Sequence, residues 1–249
     1  VMVATPALPP KSTPRLYVPD PLAAGPLTIG GPSAHYLIAV MRTKPGDPVR
    51  LFDDATGEWL ATATAVGKRD LTLDVAERLR EREAVPDLWL LAAPLKKGRV
   101  DWMAEKACEL GVARLVPVVT RRTVVDRPNT DRLRAHMIEA AEQCGRTALP
   151  EVADAVKLPA LLRDWPAGRA LFFADEEGGA PAAAAMAAHH GPAAILIGPE
   201  GGFDDDERAA IRACPDAVAI GLGPRILRAE TAAAAAVALW MAAAGDWTG

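Results

Sequence analysis

Ala193-Ala194-Ile195-Leu196-Ile197 is an unbroken apolar run that ends abruptly in Gly198-Pro199-Glu200-Gly201-Gly202-Phe203. A run of this length and composition suits a strand buried on both faces, as in a parallel sheet covered by helices. Asp204, followed three residues later by Glu207, is the capping signal of a helix. Glycines at the join lack Cβ atoms and let a ligand approach the backbone, so the segment predicts strand, binding loop and helix in succession. A second exit of the same kind follows, where Ala217-Val218-Ala219-Ile220 runs into Gly221-Leu222-Gly223-Pro224-Arg225-Ile226-Leu227-Arg228-Ala229-Glu230-Thr231. Ligands of open α/β sheets sit at the carboxyl ends of the strands, so the two loops are expected to line one pocket. Neither has the Gly-x-Gly-x-x-Gly spacing of a dinucleotide site or the Gly-Lys-Ser/Thr of a phosphate loop, which argues against a nucleoside triphosphate.

From Asp87 onward strand and helix patterns alternate. Strands are predicted over 88–93, 114–119, 170–174, 193–197 and 217–220. Helices are predicted over 100–110, closed by Gly111, and over 130–144, 181–189 and 205–213, with a last helix after Glu230. This alternation implies an α/β fold with a mostly parallel sheet. The preceding stretch reads differently. Short β segments at 16–18, 49–52, 58–65 and 71–75, with turns at Pro45-Gly46-Asp47 and Thr56-Gly57, predict a small barrel, and one helix from a Ser33 cap through Met41 fits inside it. The charged stretch 77–83 reads as a linker or the end of the last strand. The expected domains are therefore 1–84 and 85–249.

Half of the 249 residues are hydrophobic, ample for a packed core. Cys108, Cys144 and Cys214 lie far apart with no Cys-x-x-Cys pair, so neither a metal site nor a disulfide framework is expected and a reducing cytoplasm fits. Prolines at 6, 9, 10 and 14 interrupt the amino terminus, against a signal peptide. The alanine-rich stretch 231–244 falls short of the roughly 18 to 20 apolar residues of a membrane span, and reads as a buried or subunit-packing helix. Net charge is −4, yet residues 86–150 carry eleven Lys/Arg against eight Asp/Glu. Local fields rather than net charge steer a charged partner, so the positive excess of this middle third is where an anionic partner would dock. Lys96, Lys97 and Arg99 are expected to cluster in a loop.

The pair Ile-Gly-Pro-Glu-Gly-Gly-Phe (197–203) and Leu-Gly-Pro-Arg-Ile-Leu-Arg-Ala-Glu-Thr-Ala (222–232) resembles the two late motifs of the RsmE-type SPOUT methyltransferases, which methylate N3 of a uridine in 16S ribosomal RNA of the small subunit. Earlier segments agree. His35-Tyr36-Leu37 through Val40-Met41-Arg42, then Pro45-Gly46-Asp47, is similar to the family's amino-terminal signature. Lys106-Ala107-Cys108-Glu109-Leu110-Gly111-Val112 is similar to a helix end in that family, and Glu142-Gln143-Cys144-Gly145-Arg146 to its central motif. The resemblance spans roughly residues 15–245, with five motifs in the expected order.

This resemblance implies a carboxyl-terminal trefoil knot, a PUA-like amino-terminal β-barrel that docks RNA, a homodimer with each site completed by the partner subunit, and S-adenosylmethionine as cofactor. The apolar face near Leu239, Trp240 and Met241 is expected to support the dimer. The positions matching the family's cofactor site are Gly198, Glu200, Gly201, Gly202, Ile220, Leu222, Gly223, Ile226 and Leu227, with Phe172, Phe173 and Glu176 expected to line the opposite wall. Uridine N3 carries a proton, so transfer needs a proton acceptor and cations beside the carbonyl oxygens. Arg225 and Arg228 are the candidate cations, and Glu200 and Glu230 the candidate acceptors. RNA contacts are expected from Arg42, Lys96, Lys97, Arg99, Arg121, Arg122, Gln143 and Arg146. Cys144 is not expected to act as a nucleophile, because methylation on nitrogen needs no covalent adduct at a ring carbon. Two alternatives stay open at this level: an RNA-binding assembly factor without turnover, and a transfer RNA methyltransferase.

Overall fold

Leu71, Leu73 and Val75 alternate with Thr72 and Asp74, and in the computed structural model this period of two turns the three apolar side chains into a core with Val49, Leu51, Ala61, Ala63 and Leu37. The structure describes residues 12–96, 98–125 and 127–248. The chain divides into two compact units, one of 1–84 with 141–148 and one of 85–140 with 149–249.

The first unit holds a five-stranded sheet of β1 (Arg15–Tyr17), β2 (Gly25–Gly30), β3 (Pro48–Phe52), β4 (Glu58–Val66) and β5 (Asp70–Arg80), in the order β1-β3-β4-β5-β2. All pairings are antiparallel except β1 with β3. Three register shifts along β4 and β5 mark bulges, which bend paired strands and increase their twist. The charged stretch 77–83 continues β5 as far as Arg80. Strand β2 has no counterpart among the expected segments: its apolar residues Leu27 and Ile29 are isolated between Gly25, Pro26 and Gly30, too few for periodicity to register.

The expected 33–41 helix is two short pieces. Helix α1 (Gly31–His35) starts after Gly30 rather than at a Ser33 cap, and a π-helical turn follows at Tyr36–Val40. It ends at Arg42, whose φ of 55° makes it the one non-glycine residue with positive φ among the described residues. Left-handed backbone costs a residue with a Cβ about 1 kcal/mol or more.

The second unit is a parallel sheet of β6 (Leu88–Ala92), β7 (Arg114–Val119), β8 (Glu151–Val152), β9 (Val156–Lys157), β10 (Ala170–Ala174), β11 (Ala180–Pro181), β12 (Ala193–Ile197) and β13 (Ala217–Gly221). The order is β11-β13-β10-β12-β6-β7-β8, with β9 also on β7. Helices α2 (Arg99–Glu109), α3 (Thr130–Cys144), α4 (Leu158–Arg163), α5 (Ala182–Ala187), α6 (Asp205–Arg212) and α7 (Ala229–Ala243) connect and cover it; the last turn of α3 is counted with the first unit. Strand β12 is buried at every residue, as its unbroken apolar run requires. Helix α4 and the two-residue strands were too short for periodicity to reveal. Trp240 and Met241 are buried within the chain, so the apolar face of α7 at these two residues is used up in packing its own unit.

Among the described residues no helix is long and apolar enough to cross a membrane. None of their His, Cys, Asp and Glu side chains form a group of three or more that could hold a metal ion.

Candidate active site

Strand β10 lies between β12 and β13, so the two glycine-rich exits are not direct neighbours: the exit of β10 separates them. All three strands are parallel and leave the sheet at the same edge, where the loops after Ala174, Ile197 and Gly221 enclose a crevice of about 570 Å³. That volume lies within the range of small-molecule sites, roughly 300–1,000 Å³.

Two of the three walls are braced. After β12, Gly202 N–H donates to the Pro199 carbonyl at 2.9 Å, and a reciprocal capping box opens α6: Asp204 accepts from Glu207 N–H at 2.8 Å and Glu207 accepts from Asp204 N–H at 3.2 Å. Residues past the end of β7 clamp this loop. Arg121 donates to Asp204 and Asp206 at 2.9 and 2.8 Å, while Arg122 Nη1 donates to the Gly201 carbonyl at 2.6 Å. Hydrogen bonds from Glu207 N–H and Arg121 hold the Asp204 carboxyl below the usual aspartate range. Gly198 lines the crevice and also packs on Phe203, whose ring would lie 3.1 Å from an added Cβ, so a side chain there would press on that ring.

The wall after β10 is fixed by charge. Asp175 is buried and accepts from Arg208 at 3.1 Å and Arg212 at 2.7 Å, while Arg208 also reaches Glu177 at 2.8 Å. Burial opposes the charge on Asp175, but the two arginines and the Glu177 N–H outweigh it and hold its carboxyl below the ordinary value.

The third wall, after β13, is open. The backbone N–H groups of Gly223, Arg225, Ile226 and Leu227 make no backbone hydrogen bond among the described residues. Gly223 has φ 102°, a conformation that favours glycine. Arg225 and Arg228 are exposed, line the crevice, and form no ion pair or side-chain hydrogen bond among the described residues. Free backbone donors beside apolar Ile197, Phe203, Ile220 and Leu222 fit a ligand with a polar heterocycle edge and an apolar body.

Of the expected cofactor positions, Glu176, Gly198, Glu200, Gly202, Ile220, Leu222, Gly223, Ile226 and Leu227 line this crevice. Phe172 and Phe173 do not. Both are buried in β10, Phe173 in the core beneath the sheet and Phe172 edge-on to His189 at 5.9 Å. Successive strand residues point to opposite faces, so neither reaches the edge, and Ala174, Asp175 and Glu176 beyond them make the wall. Gly201 is also absent from the lining and instead offers its carbonyl to Arg122. The structure adds Asp175 and Arg208, whose sequence signal was the acidic run Asp175-Glu176-Glu177 directly after an apolar strand.

The expected RNA-contact residues are placed differently from one another. Arg99 opens α2, lines the crevice and hydrogen-bonds Glu200, with Glu230 at 3.7 Å, so it belongs to the crevice mouth rather than to a basic loop cluster. Lys96 is exposed before α2, and Lys97 lies outside the described residues. Arg121 and Arg122 brace the β12 loop as described. Gln143 is exposed, but Arg146 is only 5% exposed and lies 3.6 Å from Glu83, so its side chain is not presented to RNA. Arg42 is exposed.

Segment 141–148 is instead strapped to the first unit's sheet. Arg15 donates to Glu58 at 2.6 Å and to the carbonyls of Ala141 and Arg146 at 2.6 and 2.7 Å; Arg80 donates to Glu58 at 2.6 Å and to the Gly145 carbonyl. Burial works against the Glu58 charge, but the hydrogen bonds and charges of Arg15 and Arg80 prevail and keep its carboxyl below the ordinary glutamate range. Glu83 accepts from Thr147 N–H at 2.8 Å and Ala148 N–H at 3.1 Å.

Parallel β topology with a crevice at three strand exits defines an open α/β fold with a ligand site at the carboxyl ends of its strands, and comparison with known proteins places it with the SPOUT-type methyltransferases. The profile of the RNA methyltransferase domain family matches residues 81–241, and that of the RNA methyltransferase PUA domain matches 29–76. The chain is 31% identical over 207 residues, 82% of its length and 84% of the relative's, to ribosomal RNA small subunit methyltransferase E of Rickettsia conorii. Its structure is similar to that of the enzyme of the same name from Neisseria gonorrhoeae bound to S-adenosyl methionine, with a TM-score of 0.85 and 27% identity, covering 94% of this chain and 99% of that one. A Legionella pneumophila protein solved with the bound cofactor SAM gives a TM-score of 0.84 at 29% identity, with the same coverage. The chain therefore belongs to the RNA methyltransferase family, in its ribosomal RNA small subunit methyltransferase E branch.

Proposed function

We propose that this protein transfers a methyl group from S-adenosylmethionine to N3 of a uridine in 16S ribosomal RNA of the small subunit, acting in the cytoplasm as a homodimer. The observation that carries this reading is the crevice itself: two glycine-rich exits and the β10 exit converge at one sheet edge, with backbone donors and two arginines on one wall that have no partner among the described residues.

Gly223, Ile226 and Leu227 would hold the cofactor through backbone groups, with Ile220 and Leu222 against its apolar parts and Glu176 on the facing wall. When bound, S-adenosylmethionine supplies an electrophilic methyl group on a positively charged sulfur. Removing the N3 proton leaves negative charge on the flanking uracil carbonyls. Arg225 and Arg228 are positioned to donate to those oxygens or to grip a phosphate in a bidentate fashion. Of the two candidate proton acceptors, Glu200 is already bonded to Arg99. Glu230 is mostly buried, and its Oε2 has no hydrogen-bond partner. Glu230 does not line the crevice and its Oε2 is buried away from it, so Glu200, which lines the crevice beside Arg99, is the candidate acceptor that a bound base can reach. Lys96 and Gln143 remain proposed RNA contacts.

Labelled S-adenosylmethionine incubated with hypomethylated small subunits is expected to deposit label on one uridine, with the methyl located on N3 by mass spectrometry. Absence of label from a preparation that binds the cofactor in calorimetry would leave an assembly factor as the better reading, and label on transfer RNA alone would move the substrate. The homodimer is carried into this reading by the family resemblance, and light scattering reads it directly.

A further inference from the structure

The π-helical turn Tyr36–Val40 carries an apolar face that the fold does not use. With about 4.4 residues per turn, Tyr36 shares a face with Val40 and Met41, and these three are 36%, 62% and 36% exposed, while Leu37 is fully buried. At its end stands Arg42 in left-handed backbone, where glycine is the usual residue. The local bonding explains the geometry but not the residue: Met41 N–H donates to the Tyr36 carbonyl and Thr43 N–H to the Leu37 carbonyl, each at 3.0 Å, and a glycine would close this turn with less strain. Arg42 and Lys44 are exposed, and neither forms an ion pair among the described residues. An exposed aromatic on an apolar shelf, followed closely in the chain by two exposed cations without an ion pair among the described residues, matches the chemistry of a single-stranded nucleotide, with a π-face to stack and a phosphate to neutralise.

Resting on the proposed RNA substrate, we infer that this turn is a stacking platform for an unpaired RNA base. Tyr36 takes the base face, Val40 and Met41 extend the shelf, and Arg42 holds the adjoining phosphate. The left-handed backbone is retained because it turns the chain at the platform's edge while keeping a guanidinium there, which glycine cannot supply.

The test uses the full chain and a fluorescein-labelled single-stranded oligoribonucleotide, with anisotropy as readout and thermal unfolding alongside. Tyr36→Ala is expected to weaken binding about tenfold, and Tyr36→Trp to restore it. Arg42→Gly is expected to keep or raise the unfolding midpoint while weakening binding and reducing the slope of log affinity against log salt by about one phosphate. Arg42→Lys is expected to recover the salt slope. If Tyr36→Ala and Arg42→Gly bind like the wild type, the turn is only a helix end and the inference fails. Methyl transfer by the wild type is scored separately. Platform-dependent binding without transfer overturns the proposed reaction and leaves the platform standing, whereas transfer unaffected by both substitutions overturns the platform and leaves the reaction standing.

Discussion

Two arginine-bearing motif segments, residues 221–228 and 141–148, are each short and glycine-containing, yet the fold treats them in opposite ways. In the first, Arg225 and Arg228 are exposed and unpaired among the described residues, and several backbone N–H groups wait for a partner. In the second, the carbonyls of Ala141, Gly145 and Arg146 are claimed by Arg15 and Arg80, which share the buried Glu58, and Arg146 is itself buried. Unsatisfied polar groups at a crevice are a capacity for binding. Saturated ones are a fastening. A recurring motif does not reveal which of the two it is.

This contrast can be broken or sharpened by substitution. Glu58→Ala has the largest expected effect on the fastened loop: it leaves the buried Arg15 without its anion and frees the more exposed Arg80, and destabilisation of about 3–5 kcal/mol is expected in urea unfolding. Its pH counterpart follows from the same residue. Because folding lowers the Glu58 carboxyl, the stabilisation it provides is present above the ordinary glutamate value and lost as pH falls through the lowered one. Unfolding midpoints should therefore drop on acidification, and Glu58→Gln should flatten that drop. If Glu58→Gln instead unfolds with the wild-type acid profile, the cluster does not fasten the strap.

On the open loop, Arg225→Ala is expected to lower kcat by about 10²–10³ while leaving the S-adenosylmethionine Kd within about twofold, as for loss of a transition-state donor. A loss of cofactor affinity instead would make the residue part of the cofactor site. Gly223→Ala meets no neighbour within 4 Å but must adopt φ 102°, so a stability loss of about 1–2 kcal/mol with weakened cofactor binding is expected. Smallest is Arg121→Ala, which removes exposed, solvent-screened bonds to Asp204 and Asp206; a thermal unfolding midpoint close to that of the wild type is expected.

Much of the α/β unit was legible because its signals are local. Strand β12 is apolar at every position, Asp204 and Glu207 form the capping box their spacing predicts, and α3 spans the expected 130–144. The two late loops were legible as crevice walls because strand exits of a parallel sheet share an edge. Legibility failed where chain-distant groups decide. Phe172 and Phe173 sit two residues and one residue too early to reach the crevice, a matter of where β10 ends. Arg99 was indistinguishable from a loop cation until Glu200, a hundred and one residues away, was found beside it.

What the amino-acid order determined by itself was periodicity: which segments are strands buried on both faces, which helices are capped, and where glycine opens the backbone. What only the tertiary structure decided was pairing: that β10 separates β12 from β13, that Glu58 gathers Arg15 and Arg80 under the 141–148 strap, and that Arg225 and Arg228 have no partner among the described residues. The physical reason is that hydrophobic period and capping act over a few residues of chain, whereas the partner of a charge is chosen by proximity in space, which emerges only from the packing of the whole chain and is not legible in any local stretch of it.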